Sequence, residues 1–204
     1  MRRLHLALAA LLALAPAGRA AAQGAAPGPA RGPATAVFAA GCFWCAEADF
    51  EKVPGVLDAV SGYTGGRVVD PTYEQVSGGG TGHLEVVQVR YDPRRVSYAQ
   101  LLAVFWRNVD PFDAAGQFCD KGEQYTAAIY VQDAEQRRLA EASLRALAPR
   151  GGGPVATRIL DAAPFYRAEE YHQAYYTKNP LRYKFYRSRC GRDDRLAEVW
   201  GEKR

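Results

Sequence analysis

Gly41-Cys42-Phe43-Trp44-Cys45 is the stretch around which the rest of the chain is organised. The apolar residues 35–40 before it predict a short buried strand. After Gly41, apolar residues recur at helical spacing until Pro54-Gly55 ends the pattern. These residues are Phe43, Ala46, Phe50 and Val53. Cys42 is therefore expected at a turn from a strand into a helix.

This position makes Cys42 a candidate nucleophile. The free N–H groups and the positive dipole end of a helix N-terminus stabilise a thiolate, so we expect the pKa of Cys42 to fall below about 8.5. The alternative is that a small cysteine merely packs against the sheet, since free cysteines are among the most buried residues. Phe43 and Trp44 stand where a first helical turn is normally polar, and they favour a pocket.

The composition is that of a globular protein with one sizeable core. The chain has 204 residues, of which 48% are hydrophobic and 24% charged, so we expect one domain. Arg2 and Arg3 precede the apolar residues 4–15, and Ala20-Ala21-Ala22 offers a small-residue cleavage site. Residues 1–22 are thus predicted to be a signal peptide, and the mature protein is predicted to be exported, either to the periplasm or as a secreted protein.

Cleavage would change the charge of the protein. The net charge of +4 falls by 3 to +1, because residues 1–22 hold Arg2, Arg3 and Arg19 and no acidic residue. The apolar run is too short for a spanning helix, so no stable membrane span is expected after cleavage. Residues 23–34 are rich in Ala, Gly and Pro and predict a flexible lead. The domain is expected over residues 35–204.

The four cysteines are Cys42, Cys45, Cys119 and Cys190. They are too few and too scattered for a disulfide scaffold in a chain of this length. In an exported protein we expect them to be redox-active or paired. A zinc site normally uses two close pairs, and only Cys42 with Cys45 forms one, so no metal is predicted.

Residues 84–91 form the clearest strand pattern. Their alternation places Glu85 on the same face as three apolar residues, Val87, Val89 and Tyr91. If that face is the core, the carboxyl group is poorly solvated, its pKa rises, and it can act as an acid near neutrality. The alternative places the opposite face in the core and leaves Glu85 in water.

The rest of the chain alternates strands and helices. Residues 124–131 predict a strand in which Tyr125 points with the apolar set, so Tyr125 and Glu85 could reach the same site. Ser97 with Gln100 predicts a capping box at the start of a helix. Further predictions are strands over 56–63 and 155–160, a glycine-rich loop over 64–82, and helices over 133–148 and 168–176. The alternation predicts an α/β fold, a two-layer sandwich with one mixed sheet covered by helices.

The tail, residues 181–204, interleaves basic and aromatic residues, and it carries Cys190. Such a pattern can mark nucleic-acid binding. Because the mature chain is nearly neutral, we expect no nucleic-acid partner. We expect instead that the aromatic residues hold the tail on the domain.

Motifs along almost the whole predicted domain resemble those of the A-type methionine sulfoxide reductases. They are Gly41-Cys42-Phe43-Trp44 with Glu47, Ser61-Gly62-Tyr63-Thr64-Gly65-Gly66, Pro71-Thr72-Tyr73, Thr81-Gly82-His83-Leu84-Glu85, the residues 120–125, Tyr171-His172-Gln173 and Lys178-Asn179-Pro180. The resemblance implies a ferredoxin-like core. It also implies reduction of the S epimer of methionine sulfoxide, free or in proteins, with repair of oxidised proteins.

The same resemblance implies roles for the site residues. These are Cys42 as the nucleophile, Glu85 as the acid, Tyr73 and Tyr125 as donors to the sulfoxide oxygen, Phe43 and Trp44 around the methyl group, and Asp120 as the residue that orients the site. Methionine departs and leaves a sulfenic acid on Cys42, which a second thiol converts to a disulfide. No metal or organic cofactor is implied. We expect a thioredoxin-like reductant and a monomeric enzyme.

The cysteines that would recycle the enzyme depart from the commonest pattern of that family. Cys45 stands where many members have glycine, and Cys119 stands where others have asparagine. We predict that Cys190 is the principal partner of Cys42, because a mobile tail can approach the sulfenic sulfur from the open side of the pocket. Cys45 is predicted to be secondary. Cys119 ranks last, because the neighbouring carboxylate of Asp120 disfavours its thiolate.

Two other functions fit parts of the pattern. Strand, Cys-x-x-Cys and helix is also the local arrangement of a thioredoxin-like thiol-disulfide oxidoreductase, which would use Cys42 and Cys45. That interpretation does not account for Glu85 or the tyrosines. A secreted binding module with an aromatic pocket would leave Cys42 unreactive.

Overall fold

The computed structural model describes residues 32–147 and 153–201. Eight strands are present in these residues: β1 (Ala34–Ala39), β2 (Val56–Thr64), β3 (Leu84–Tyr91), β4 (Gly116–Gln117), β5 (Asp120–Lys121), β6 (Ala128–Val131), β7 (Arg158–Asp161) and β8 (Phe165–Arg167). The helices are α1 (Phe43–Glu51), α2 (Tyr73–Ser77), α3 (Tyr98–Arg107), α4 (Ala134–Leu147), α5 (Tyr175–Lys178), α6 (Pro180–Arg189) and α7 (Arg192–Trp200). The predicted signal peptide and most of the predicted lead lie outside the described residues.

Six strands form a mixed sheet in the order β7-β6-β1-β3-β2-β8, and β4 pairs with β5 in a separate hairpin. β6 and β7 are parallel, whereas the other neighbours in the large sheet are antiparallel. β1 is central, with Phe38 opposite Val87 on β3 and opposite Ile129 on β6. The α/β class and the mixed sheet are as predicted from the sequence.

Helices α1, α3 and α4 pack against one face of this sheet and form the main core with it. The ring of Phe38 stacks on Phe50 of α1 at 4.9 Å and on Phe105 of α3 at 5.3 Å between centroids. Val87, Val89 and Tyr91 belong to this core, and Glu85 is buried beside them. The predicted orientation of β3 is therefore confirmed, and the alternative that left Glu85 in water is wrong.

The opposite face of the sheet carries a smaller buried cluster. Its members are Val37, Ala39, Leu84, Val86, Ala128 and Tyr130. The central strands are thus apolar on both faces, which is why residues 35–40 read as a continuous apolar run. In the described ranges, no helix is long and apolar enough to cross a membrane.

Local signals place several helix ends correctly. Ser97 caps α3, with its hydroxyl accepting from the Gln100 amide while the Gln100 side chain accepts from the Ser97 amide. Asp133 accepts a hydrogen bond of 2.8 Å from the amide of Gln136 and so caps α4. Both caps satisfy amides that have no partner inside the helix, and the cap at Ser97 is reciprocal.

Three predicted segments differ from the structure. The strand predicted over 124–131 is β6, which begins only at Ala128. Gly122 has φ of 130° and turns the chain, and residues Glu123–Tyr125 form a 3-10 helix. The tail, which was predicted to be mobile, instead folds into the helices α6 and α7. The predicted helix over 168–176 is only a 3-10 turn at Glu170–His172 and the short α5, which begins at Tyr175 after Ala174 in a left-handed conformation.

Candidate active site

The turn that carries Cys42 needs glycine at position 41. Gly41 has φ of 77°, and a Cβ atom there would lie 2.6 Å from Cβ of Gln117. A side chain would therefore be strained both by the backbone and by a contact shorter than van der Waals distance. Cys42 follows as the N-cap residue of α1, at the predicted junction of strand and helix.

The pKa of Cys42 differs from the expectation based on the helix. The side chain is only 6% exposed, and burial, followed by the neighbouring Cys45 and Glu85, raises the pKa of Cys42. The sulfur does not cap the helix. The first amide of α1, on Phe43, donates instead to Oε2 of Glu85 at 2.9 Å. The expected lowering of the Cys42 pKa is thus wrong, because desolvation disfavours the thiolate.

Glu85 enters the site from β3, opposite Tyr63 of β2. It is 2% exposed, and burial raises the pKa of its carboxyl group to about 8, although the hydrogen bond from the Phe43 amide opposes the rise. At neutral pH most of this carboxyl group carries a proton. The buried and protonated state expected from the alternation of β3 is therefore present.

A small pocket of about 60 Å³ lies where these elements meet. Its lining contains seven residues singled out from the sequence and one further residue, Tyr186. The lining residues are Cys42, Phe43, Trp44, Tyr73, Glu85, Asp120, Tyr125 and Tyr186. A larger cavity of about 600 Å³ is lined partly by Tyr130 and Leu160 of the second-face cluster, and it contains none of the predicted residues.

The phenol groups in the pocket remain neutral donors. Burial, together with the charge of Glu85, raises the pKa of Tyr73 to about 12 and raises that of Tyr125 as well. Tyr73 is the first residue of α2 and is held by its amide, which donates to Glu169 at 2.8 Å. Tyr125 comes from the 3-10 helix and not from a strand, yet it still reaches the pocket.

Trp44 is fixed on both sides of its ring. Its Nε1 donates to Nδ1 of His172 at 2.9 Å, and its ring stacks on Tyr175 with centroids 3.8 Å apart. His172 also lies against Phe43, at 5.0 Å between ring centroids. The two aromatic walls of the pocket are therefore held by the chain around α5.

Asp120 connects the pocket to the C-terminal helices. Its Oδ2 accepts a hydrogen bond from the hydroxyl group of Tyr186 on α6. The same hydroxyl group hydrogen-bonds to Cys42 and so opposes the rise of the cysteine pKa. Tyr186 thus lies between the nucleophile candidate and the carboxylate.

Cys119 and Cys190 form a disulfide bond across 71 residues of chain. Cys190 Sγ lies 3.9 Å from Oδ2 of Asp120, so the disulfide borders the pocket, and Cys119 is exposed. In the structure Cys190 is therefore bonded to Cys119, the cysteine that was ranked last as a partner of Cys42. The predicted role of Cys190 as partner of Cys42 stays a prediction.

Cys45 lies in the first turn of α1 and is a free thiol, like Cys42. It is 1% exposed and packs with Ala48, Tyr175 and Tyr183. Its pKa falls to about 7, mainly because its sulfur accepts a hydrogen bond from the Cys42 thiol. Of the two coupled thiols, Cys45 is the one that ionises first.

Sequence reasoning missed three residues of this site. His172 was noticed only within a motif, and Tyr186 only as one aromatic residue of the tail. Arg192 is one of the basic residues of the tail and was not predicted to lie near Cys42, whereas the structure buries it beside the turn of Cys42. The aromatic residues of α6, spaced on a helical face, are the signal that could have indicated a folded tail.

One group of metal-type donor atoms occurs in the described residues, formed by Cys119, Asp120 and Cys190 within 4.8 Å of one another. The two sulfur atoms are bonded to each other, so they offer no thiolates to a metal in this state.

The fold and the pocket are those of a thiol-based oxidoreductase, with a buried acid beside a buried cysteine. The family described as peptide methionine sulfoxide reductase matches residues 34–204. MsrA of Ligilactobacillus salivarius is 54% identical over 151 residues, which are 73% of this chain and 88% of that protein. The chain belongs to the peptide methionine sulfoxide reductase family, MsrA type, and is an enzyme of methionine sulfoxide reduction. The thioredoxin-like and binding-module interpretations are thereby set aside.

Solved structures agree with this membership. Methionine sulfoxide reductase A of Corynebacterium diphtheriae is 36% identical with a TM-score of 0.67, over 74% of this chain and 76% of that one. Mxr1 from Saccharomyces cerevisiae in complex with Trx2 is 21% identical with a TM-score of 0.50, over 70% of this chain and 84% of that one, and it shares the fold alone.

Proposed function

We propose that this enzyme reduces the S epimer of methionine sulfoxide, free or in proteins, with Cys42 as the nucleophile and Glu85 as the proton donor. The observation that carries the proposal is the buried carboxyl group of Glu85, with a pKa of about 8, in the same pocket as Cys42. A pocket of about 60 Å³ suits the tip of one side chain, since sites for larger organic ligands occupy about 300 Å³ or more.

The chemistry explains why an acid must stand beside the thiol. The Cys42 sulfur attacks the sulfoxide sulfur, whose oxygen cannot leave as an oxide ion. Glu85 gives its proton to that oxygen, while the phenol groups of Tyr73 and Tyr125 donate hydrogen bonds to it. The oxygen is transferred to the Cys42 sulfur, the bond between the two sulfur atoms breaks so that methionine departs, and Cys42 is left as a sulfenic acid. The proton that the Cys42 thiol loses on attack restores the acid form of Glu85.

Substrate orientation follows from the aromatic walls. The methyl group of the sulfoxide packs between Phe43 and Trp44, whose indole is fixed by His172 and Tyr175. Asp120 orients the site through Tyr186. Selection of one epimer requires that the oxygen and the methyl group of the sulfoxide contact different sides of the pocket. The acid and the phenol groups form the polar side, and Phe43 with Trp44 forms the apolar side.

Recycling proceeds through Cys190 in this proposal. The thiolate of reduced Cys190 attacks Cys42 Sγ, the sulfenic hydroxyl leaves as water after taking a proton, and a Cys42–Cys190 disulfide forms. The thiolate of Cys119 then attacks Cys190 and releases Cys42 as a thiol. The resulting Cys119–Cys190 disulfide has an exposed end, which suits reduction by a thioredoxin-like donor. The solved complex of yeast Mxr1 with Trx2 motivates this choice of donor.

Three further properties belong to the proposal. Residues 1–22 act as a signal peptide and direct export, residues 35–204 form a single monomeric domain, and the sheet has a ferredoxin-like core in a two-layer sandwich. The strand order β6-β1-β3-β2, with α1 between β1 and β2 and α3 between β3 and β6, supports the last point. Cell fractionation with mass analysis of the N-terminus tests the first.

The function is tested with racemic methionine sulfoxide. Reduced enzyme is incubated with the racemate and excess dithiothreitol, and both epimers are followed by chiral chromatography. We expect the S epimer to be consumed completely and the R epimer to remain, so that about half of the substrate becomes methionine. Consumption of both epimers at similar rates contradicts the assignment of specificity.

A further inference from the structure

Arg192 of α7 is a buried cation outside the reaction described above. Its side chain is 1% exposed, although arginine is almost never fully buried unless it is paired. Nη1 and Nη2 each donate to the carbonyl oxygen of Ala40 at 3.3 Å, and Nη2 donates to that of Asn108 at 2.8 Å. Nε has no hydrogen-bond partner. Within residues 32–147 and 153–201, no carboxylate is hydrogen-bonded to this guanidinium group.

The location of the charge is specific. Ala40 immediately precedes the turn that carries Cys42, and a Cβ atom on Gly41 would lie 3.8 Å from Nη1. The guanidinium group also lies over the ring of Phe118, at 4.5 Å from its centroid. Arg192 therefore stands directly behind the turn, between β1 and the chain that leads to Asp120.

The other cation near the thiols, Arg187, also lowers the pKa of Cys45, but by less than Arg192 does. Arg187 of α6 pairs with Asp49 at 3.1 Å and with Asp193 at 2.7 Å. The ionisable groups that face the thiols are Asp49 on α1, Glu85 on β3, Asp120 on β5, and Tyr186 with Arg187 on α6. The phenol groups of Tyr73, Tyr125 and Tyr183 complete the surroundings. Two carboxyl groups, those of Asp49 and Glu85, thus oppose formation of a thiolate there.

The electrostatic effect of Arg192 agrees with its position. The pKa of Cys45 falls to about 7, first through the hydrogen bond from Cys42 and then through the charge of Arg192. Burial raises the pKa of Asp120, and the Tyr186 hydroxyl and Arg192 oppose that rise. The charge of Arg192 therefore lowers the pKa of both the Cys45 thiol and the Asp120 carboxyl group.

We propose that Arg192 is a positioning residue for the reaction: it supplies the counter-charge for the thiolate that forms in the first turn of α1, and its hydrogen bonds to Ala40 hold the turn that carries Cys42. A buried cation is stabilised when an anion appears nearby, so thiolate formation and burial of Arg192 support each other. That thiolate is the one of Cys45, which accepts a hydrogen bond from the Cys42 thiol. The proposal rests on the proposed function for the reactivity of Cys42, but its test needs no turnover.

The first test titrates the thiols by the ultraviolet absorbance of the thiolate. The Cys119–Cys190 disulfide is kept oxidised, so that only Cys42 and Cys45 respond. We expect Arg192→Gln to raise the midpoint by about 0.5 to 1 pH unit. Arg192→Lys, which keeps the charge, and Arg189→Gln, which removes an exposed charge of the same tail, should stay within about 0.3 pH unit of wild type. A folded Arg192→Gln protein with an unchanged midpoint overturns the proposal, and so does an equal shift in Arg192→Lys.

The second test uses the wild-type protein, so it stands even if Arg192→Gln does not fold. The Nε–H resonance of Arg192 is followed by NMR as the pH is raised through the thiol midpoint. We expect it to shift with that midpoint and to lose this shift in the double variant Cys42→Ser, Cys45→Ser. A resonance that does not respond to the thiols overturns the proposal. Failure of the proposed function would appear differently, as normal titration without formation of methionine.

Discussion

The amide of Phe43 donates its hydrogen bond to Glu85, with 2.9 Å between the nitrogen and Oε2. This is the first amide of the helix that begins after Cys42, so the N-terminus of α1 faces the acid rather than the sulfur. The contact opposes the effect of burial on the Glu85 carboxyl group and limits the pKa to about 8. One helix end thus carries the proposed nucleophile, Cys42, and lowers the pKa of the proposed proton donor, Glu85.

Replacing Glu85 by glutamine should slow sulfenic acid formation by about 10² to 10⁴-fold, because general acid catalysis contributes rates of that order. The amide oxygen can still accept from Phe43, so the fold is retained. The loss should shrink at low pH, where solvent supplies protons. Single-turnover formation of methionine measures the rate. Glu47→Gln is the matched control, since Glu47, on α1, is buried like Glu85 but does not line the pocket. A rate for Glu85→Gln within about threefold of wild type would count against Glu85 as the proton donor.

The same substitution should change how stability depends on pH. The folded-state pKa of Glu85, about 8, lies above the unfolded value of about 4.3. The native state therefore favours the proton, and its contribution is fully present below about pH 4.3 and is lost as the pH rises to about 8. We expect the Tm of Glu85→Gln relative to wild type to increase between those pH values. A constant difference in calorimetry across that range would argue against a buried, protonated carboxyl group.

Removal of the Tyr186 hydroxyl group tests the link between the C-terminal helices and the nucleophile. Tyr186→Phe loses the hydrogen bonds to Asp120 and to Cys42. We expect the pKa of the Cys42 thiol to rise further and the single-turnover rate near neutrality to fall about tenfold, as is typical for loss of a hydrogen bond to a charged group. The pH profile of Cys42 alkylation is the measurement. Tyr176→Phe, which loses a phenol bond to Glu51 outside the pocket, should leave both quantities unchanged.

Recycling is tested by mapping disulfides after one equivalent of methionine sulfoxide. We expect wild type to end with Cys119–Cys190, and Cys119→Ser to accumulate Cys42–Cys190 because the second exchange is blocked. Cys190→Ser should lose most turnover with a thioredoxin-like donor. If Cys190→Ser turns over normally through a Cys42–Cys45 bond, then the Cys119–Cys190 disulfide is structural and Cys45 performs the recycling.

The sequence predicts those parts of the site that are fixed by local patterns. Alternation along β3 places Glu85 in the core, and the glycine before Cys42 marks the turn into α1. The capping box at Ser97 is a contact within one turn, so four residues suffice to identify it. In each case the deciding contacts lie close together in the chain.

Other parts depend on contacts that no local pattern reports. The apolar alternation over residues 124–131 predicts that Tyr125 begins a strand, whereas Gly122 turns the chain so that Tyr125 lies in a 3-10 helix. The Cys119–Cys190 bond joins positions 71 residues apart, and connectivity cannot be deduced from the spacing of cysteines. Arg192 lies far from Cys42 in the sequence, and only the folded tail brings its side chain to the carbonyl oxygens of Ala40 and Asn108.

The central claim is that Cys42 takes the oxygen from methionine sulfoxide, and a single turnover without external reductant tests it most directly. Fully reduced wild type and Cys42→Ser are each mixed with the S epimer of methionine sulfoxide, and methionine and the modified cysteine are identified by mass analysis. We predict about one methionine per wild-type molecule, with oxidation that begins at Cys42, and none from the folded Cys42→Ser protein. Formation of methionine by Cys42→Ser at a comparable rate would contradict the account.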